Sequence, residues 1–187
     1  MNIAITGEGI VSAIGLNKQE VLQALQEGRT GIGEMKYLLS IHHELPVGEV
    51  DLSNEQMKKM LGIPSEQMMS RTSLLGMLAI DQALKEAYVD VASLRARKAD
   101  GKPLRIVLVS GTTVGGMDIT ELCFDQLEKQ KSVEFLQHHD CGNSTRLMAD
   151  HFGIFDEVAT LSTACSSAAN AIMLGARLLK AGEADLV

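Results

Sequence analysis

LSTACSSAANAI, residues 161–172, is the stretch on which the fold turns. Residues 158–163 suit an extended strand, whereas from Cys165 onward nearly every residue is small and compatible with a helix. The stretch therefore predicts a strand that runs straight into a helix at about 166–181, with a thiol at the seam. Gly182 stops that helix, and Arg177 and Lys180 in its last turns suit the negative end of its dipole. Its residues are apolar or small nearly all round, which predicts a helix buried in the middle of the structure.

Working outward, the same alternation recurs. LRIVLVS at 104–110 is a near-continuous β-branched run, the pattern of a strand covered on both faces, and it ends in GTTVGG before a helix expected from about 117 to 130. A helix over 144–152 is stopped by Gly153. A long helix over 70–89 is read from Leu74, Met77, Leu78, Leu84, Ala87 and Tyr88 at three- and four-residue spacing. Nearer the start, NIAIT (2–6) reads as a short buried strand leading into TGEGIVSAIG. Asn17 and Glu20 then open a helix with a Val21, Leu22 and Leu25 stripe, closed by Gly28. Residues 33–69 look irregular, apart from a short helix around 53–61. ADLV at 184–187 has the look of a buried strand's opening, so the chain is expected to break off inside a strand. Strands alternating with helices make the fold class α/β.

Composition narrows the functional classes. The chain has 187 residues, 45% hydrophobic and 22% charged, enough for one domain burying roughly 70% of its unfolded surface. With 3% aromatics and no Trp, its core must be aliphatic and Met-rich. A net charge of −7 without a basic stripe argues against nucleic acid, since phosphate binding needs clustered Lys and Arg. LRARKAD at 94–100 reads as a solvated loop. The start has no signal-peptide pattern, and the longest apolar run, LLGMLAI at 74–80, is far short of a membrane span. Three irregularly spaced cysteines fit free thiols in a cytoplasmic protein.

Three candidate chemistries compete. Gly7 and Gly9 match the first two glycines of a dinucleotide fingerprint, but position 12 is Ser and the helix starts only after Asn17, so a tight turn is the better reading. GTTVGG lacks the Lys-Ser/Thr ending of a phosphate loop. HHDC at 138–141 offers metal-capable side chains, yet four consecutive residues do not converge readily on one ion; no metal site is expected, and a solvated loop is. Cys165 has two readings. It can be a small core residue. Alternatively it is a nucleophile, because helix N-terminal N–H groups stabilise a thiolate, small neighbours leave room for substrate, and its own N–H can serve a developing oxyanion.

Taken together, NIAITGEGIVSAIG, LQEGRTGI, SRTSLLGMLAIDQALKEA, VLVSGTTVGG and TACSSAANAIMLGARLLKAGEADLV resemble, in order, the N-terminal half of the β-ketoacyl-acyl-carrier-protein synthases, condensing enzymes of the thiolase-like superfamily. The resemblance covers essentially the whole chain. It implies a layered αβαβα fold of which residues 1–187 supply about half, with a mixed sheet and a buried active-site helix. It further implies that Cys165 takes an acyl chain from a carrier-protein thioester and that Val114 lines the acyl pocket. A malonyl-carrier thioester then condenses with loss of carbon dioxide, in fatty-acid or polyketide-type synthesis, without a cofactor. The two histidines and the lysine that assist decarboxylation in such enzymes match none of the residues present and are expected beyond Val187. The implied partners are acyl carrier protein and a second ketosynthase chain, in a homodimer or heterodimer. GIFDEVATLST departs from the Gly-Pro often found before the nucleophile strand, which leaves the subtype open. Two alternatives stand: a thiolase using coenzyme A thioesters, or a noncatalytic subunit of a ketosynthase heterodimer.

Overall fold

The computed structural model describes residues 2–99, 104–124, 129 and 133–187. Its contacts divide the chain into two units: residues 1–5, 68–76 and 89–187 form one, residues 6–67 and 77–88 the other.

The larger unit is built on two parallel strands, β3 (Val107–Gly111) and β4 (Glu157–Leu161), the numbering leaving β1 and β2 to the smaller unit. In their register Ser110 faces Thr160 and Gly111 faces Leu161. Side chains alternate across a sheet, so 110 and 160 share one face while 111 looks to the other. On the first face lies α6 (Cys141–Phe152), whose Thr145 Oγ1 is 2.6 Å from Thr160 Oγ1. On the second lies α7 (Ser167–Ala181), seated so closely that a Cβ on Gly111 would stand 2.5 Å from the Ser167 carbonyl carbon. The result is three layers: helix, sheet, helix.

Residues 185–186 join this sheet. Leu186 bridges in parallel to Ile106, with Val107 N–H donating to Leu186 O at 3.0 Å and Asp185 N–H to Arg105 O at 2.8 Å. The order across the sheet is therefore β4, β3, then residues 185–186.

Burial of α7 follows a single stripe, Ser167, Ala171 and Gly175, spaced at four residues. This corrects the expectation of a helix buried all round: Ile172 and Met173 are exposed, because the sheet covers one face and no described element covers the other. Likewise the strand expected over 2–6 is not formed, and Ile5 is 82% exposed. A strand needs a neighbour to take its backbone hydrogen bonds, and none of the described strands runs beside it.

Helix α4 (Val91–Ala99) takes up most of LRARKAD, which is therefore not a loop; residue 100 lies outside the described residues. Asp90 opens it by accepting from Ala92 N–H and Ser93 Oγ, and that hydroxyl bond holds the Asp90 carboxyl below its ordinary range. Arg95 then reaches the carbonyls of His151 and Phe152 at the end of α6, where a cation is favoured by the dipole. Helix α5 spans Met117–Leu122; the expected continuation toward residue 130 falls largely outside the described residues.

The smaller unit contains α1 (Lys18–Gln26), the antiparallel pair β1 (Ile32–Gly33) and β2 (Val47–Gly48), α2 (Asn54–Leu61) and residues 77–88, of which 77–86 belong to α3 (Arg71–Glu86). Helix α1 begins as the sequence predicts, the Asn17 side chain accepting from Glu20 N–H, and the structure adds a reciprocal capping box of Ser53 with Gln56 at the start of α2. In α1, however, Val21 and Ala24 form the buried stripe, and Leu22 and Leu25 are exposed. Leu74, Met77 and Leu78 of α3 are buried as read, whereas Tyr88 lies beyond its end, 96% exposed.

The TGEGIVSAIG segment is fixed along α3. A Cβ at Gly7 or Gly9 would collide with the carbonyl oxygens of Ala83 or Ala79, at 2.1 and 1.9 Å. Glu8 N–H donates to Glu86 Oε2 and Ile10 N–H to Gln82 Oε1. These glycines serve close backbone approach to a helix, and the N–H groups of Glu8 and Ile10 already have acceptors.

Candidate active site

The two residues singled out from the sequence, Val114 and Cys165, stand at the carboxyl ends of the neighbouring parallel strands β3 and β4. This edge is where open α/β sheets place their ligands, because the loops that leave the strands open outward there.

Cys165 is exposed. It does not open α7 itself; it sits in a one-turn 3-10 segment, Ala164–Ser166, that feeds into the helix. The turn is sharp because Ala164 has φ +51°, a left-handed conformation that costs a residue with a Cβ roughly 1–2 kcal/mol. The chain thus reverses direction one residue before the thiol. Small side chains make this possible: Thr163, Ala164 and Ser166 are all exposed and leave the sulfur uncovered.

Hydrogen bonds tie the turn from both sides. Ser166 N–H donates to Thr163 O at 3.2 Å, and the Ser167 N–H donates to Ala164 O. Ser167 Oγ also donates to Ala164 O, at 2.7 Å, and accepts from Thr163 N–H at 2.9 Å. On the outer side, Ser166 Oγ donates to Thr163 O at 2.7 Å, and Asn170 Nδ2 donates to Thr163 Oγ1 at 2.8 Å. The Cys165 N–H stands directly before the two donors of Ser166 and Ser167. The Cys165 side chain faces solvent two residues ahead of the 15-residue helix α7.

Val114 lies three residues beyond Gly111, half-exposed, in a turn closed by Thr112 Oγ1, which accepts the Val114 N–H at 3.2 Å. The rest of GTTVGG is moulded onto the segment that carries the histidines. Gly116 N–H donates to His139 O at 3.3 Å, and a Cβ on Gly116 would lie 1.8 Å from His138 O. Gly115 has φ +56° and passes 2.5 Å, at its would-be Cβ, from His139 O.

The HHDC stretch is accordingly not a free solvated loop. His138 ends a 3-10 turn, Cys141 is the first residue of α6, and His139 Nδ1 lies 2.9 Å from Thr120 Oγ1. Among the described residues no three metal-capable side chains converge. Nor is any helix of the described residues long and apolar enough to cross a membrane.

Three contributors escaped the reading of the sequence: Ala164 as the bent residue, Ser167 as the buried hydroxyl behind it, and Gly111 as the point where β3 admits the helix. No spacing signal marks Ser167, because cap hydroxyls reach forward to the second or third N–H of a helix, whereas this one reaches back four residues to Thr163 N–H.

The site thus presents an exposed thiol on a left-handed strand-to-helix turn, above a parallel sheet flanked by helices on a layered α/β scaffold. Comparison with known proteins gives the family. The chain belongs to the beta-ketoacyl synthases: the model for the beta-ketoacyl synthase N-terminal domain matches residues 1–187. Among curated relatives, 3-oxoacyl-[acyl-carrier-protein] synthase 1 of Buchnera aphidicola from Schizaphis graminum is 26% identical over 191 residues, covering 99% of this chain and 45% of the relative. The synthase 1 of Escherichia coli K12 is also 26% identical, covering 98% and 44%. Among solved structures, the ketosynthase of Xenorhabdus doucetiae in complex with its chain length factor superposes with a TM-score of 0.69 at 26% identity, over 97% of this chain and 44% of that one. The ishigamide ketosynthase/chain length factor gives 0.75 at 20% identity, with the same coverages. The fold is thus thiolase-like, and the chain spans a little under half the length of the relatives it matches.

Proposed function

We propose that this chain is the nucleophile-bearing half of a condensing enzyme in fatty-acid or polyketide-type synthesis, and that Cys165 is the residue acylated. The observation that carries the reading is the exposed thiol held one residue after the left-handed Ala164, at the carboxyl end of β4. The Cys165 thiolate attacks the carbonyl carbon of an acyl-carrier thioester, and the oxyanion that forms accepts from the Cys165 N–H. The carbon–sulfur bond to the carrier then breaks, and the carrier thiolate leaves and takes up a proton. Decarboxylation of a malonyl-carrier thioester leaves its electron pair as an enolate. The enolate carbon attacks the acyl-cysteine and expels the Cys165 thiolate.

Val114, on the neighbouring loop of the same sheet edge, lines the acyl chain's pocket in this reading. The groups that assist decarboxylation belong to the remainder of the protein, consistent with relatives more than twice as long. That remainder would also cover the exposed Ile172 and Met173 on α7. The partners are acyl carrier protein and a second ketosynthase-type chain; the two solved relatives described with chain length factors support the pairing. The setting is the cytoplasm.

The test uses the full-length protein and an acyl-carrier thioester, with peptide mapping by mass spectrometry. An acyl adduct on Cys165, absent from Cys165→Ala, is the expected result. An adduct on Cys141, or none in the unaltered protein, would sink the proposal. Residues 1–187 alone are expected to release no ketoacyl product when both thioesters are supplied.

A further inference from the structure

We infer that Ser167 is the positioning residue of this site: its buried hydroxyl holds Ala164 in the left-handed conformation that presents Cys165. The inference rests on the assignment of Cys165 as the acylated thiol, and it adds a residue that acts through the backbone and touches no substrate.

Ser167 is only 4% exposed, in contrast to the four residues before it, all of which are open to solvent. Its Oγ makes two bonds of opposite sense across the bend. The hydroxyl proton goes to Ala164 O at 2.7 Å, and a lone pair receives Thr163 N–H at 2.9 Å. The Ser162–Thr163 peptide and the Ala164–Cys165 peptide, which bracket the Thr163–Ala164 pair, are thereby tied to one atom. With both held, rotation of the Ala164 φ back to negative values must either be compensated by the torsions of Thr163 or break one of the two bonds.

An alanine has little reason to stay at φ +51° unless its surroundings over-determine it, and here one buried atom does so. The serine itself is held from behind. Its carbonyl group lies against Gly111 of β3, at a separation where a Cβ could not be inserted, so the anchor is referenced to the sheet and not to the exposed loop. The outer bonds among Thr163, Ser166 and Asn170 are exposed, and water replaces such bonds at small cost.

The logic predicts a specific coupling. Glycine adopts positive φ freely, so Ala164→Gly removes the need for the clasp. The experiment measures the second-order rate of iodoacetamide labelling at Cys165 in the full-length protein. Peptide mapping reads the rate, with Cys141 as internal reference, in the unaltered protein, S167A, A164G and the double variant. S167A is expected to slow Cys165 labelling by about 10- to 100-fold, the scale of a misplaced reacting group, with Cys141 unchanged. The double variant is expected within about threefold of A164G, because the bend no longer depends on the hydroxyl.

Equal labelling of S167A and the unaltered protein overturns the inference. So does a double variant as slow as S167A. Should S167A fail to fold, the double variant against A164G alone decides: rates within about threefold support the clasp, and a tenfold deficit overturns it. Labelling reads the turn without any acyl donor, so failure of the acylation assay would leave this result standing, and the two failures are distinguishable.

Discussion

The two strand-to-helix seams at the carboxyl edge of the sheet solve the same problem with opposite chemistry. After β3 the chain turns through GTTVGG, places glycine at its left-handed position, and lies against the carbonyls of His138 and His139. After β4 it turns through TACSS, places alanine at its left-handed position, and is tied by a serine hydroxyl. The first bend has a local Thr112 hydroxyl bond to the Val114 N–H and otherwise takes its shape from a neighbouring segment. The second needs a buried partner and carries its own. A glycine bend can take its shape from its surroundings, whereas an alanine bend at positive φ needs a partner that holds it.

Gly111 is shared by both seams, and its substitution is expected to have the largest effect. The Cβ of Gly111→Ala would meet the carbonyl carbon and oxygen of Ser167 at 2.5 Å, helix backbone that cannot swing aside. A loss of about 3 kcal/mol or more in urea unfolding of the full-length protein is expected, since overpacking costs typically 1–3 kcal/mol even where side chains can adjust. Unaltered stability would show that α7 is not seated on β3 as described.

Gly116→Ala breaks the first seam alone. Its Cβ would stand 1.8 Å from His138 O, so segment 138–140 must shift, at an expected cost of about 1–3 kcal/mol. Cys165 labelling is expected to be unchanged in the folded fraction, because the second seam has its own anchor. Equal damage to Cys165 reactivity would mean the seams are one mechanical unit.

The contrast between these seams also marks how far sequence carries. The near-continuous β-branched run at 104–110, the cap at Asn17 and the seam at Cys165 were legible because local chemistry dictates them. The bend at Ala164 was not, since alanine has no preference for φ +51° and the cause is a hydroxyl three residues on, buried by the sheet. NIAIT reads as a strand because its residues favour one, but a ladder requires a partner that pattern alone does not supply. LRARKAD was obscured by its charge, which suggested a solvated loop; Arg95 instead meets the carbonyl end of α6. The collision points of Gly7 and Gly9 depend on α3, some 70 residues away in sequence.

Val114 tests whether the first seam serves the second. Val114→Ala and Val114→Phe are expected to change stability by no more than about 0.5 kcal/mol, because the side chain is 50% exposed. Relative kcat/KM for long and short acyl-carrier thioesters should shift by about tenfold in opposite directions, within the range a methylene-sized pocket change allows. Identical chain-length preference in both variants would remove Val114 from the pocket.

The smallest expected effect separates the buried clasp from the exposed bonds around it. Thr163→Val keeps the shape of the side chain but deletes Oγ1, the acceptor of Asn170 Nδ2 at 2.8 Å. Asn170 then turns to water, so the loss is expected at about 0.5 kcal/mol, below the usual net value of a hydrogen bond. The Thr163 N–H and carbonyl, which Ser167 and Ser166 engage, are untouched, and Cys165 labelling should stay within about twofold. A Thr163→Val variant as slow as S167A would reverse the assignment: the outer bonds, and not the buried hydroxyl, would then hold Ala164 at its positive φ.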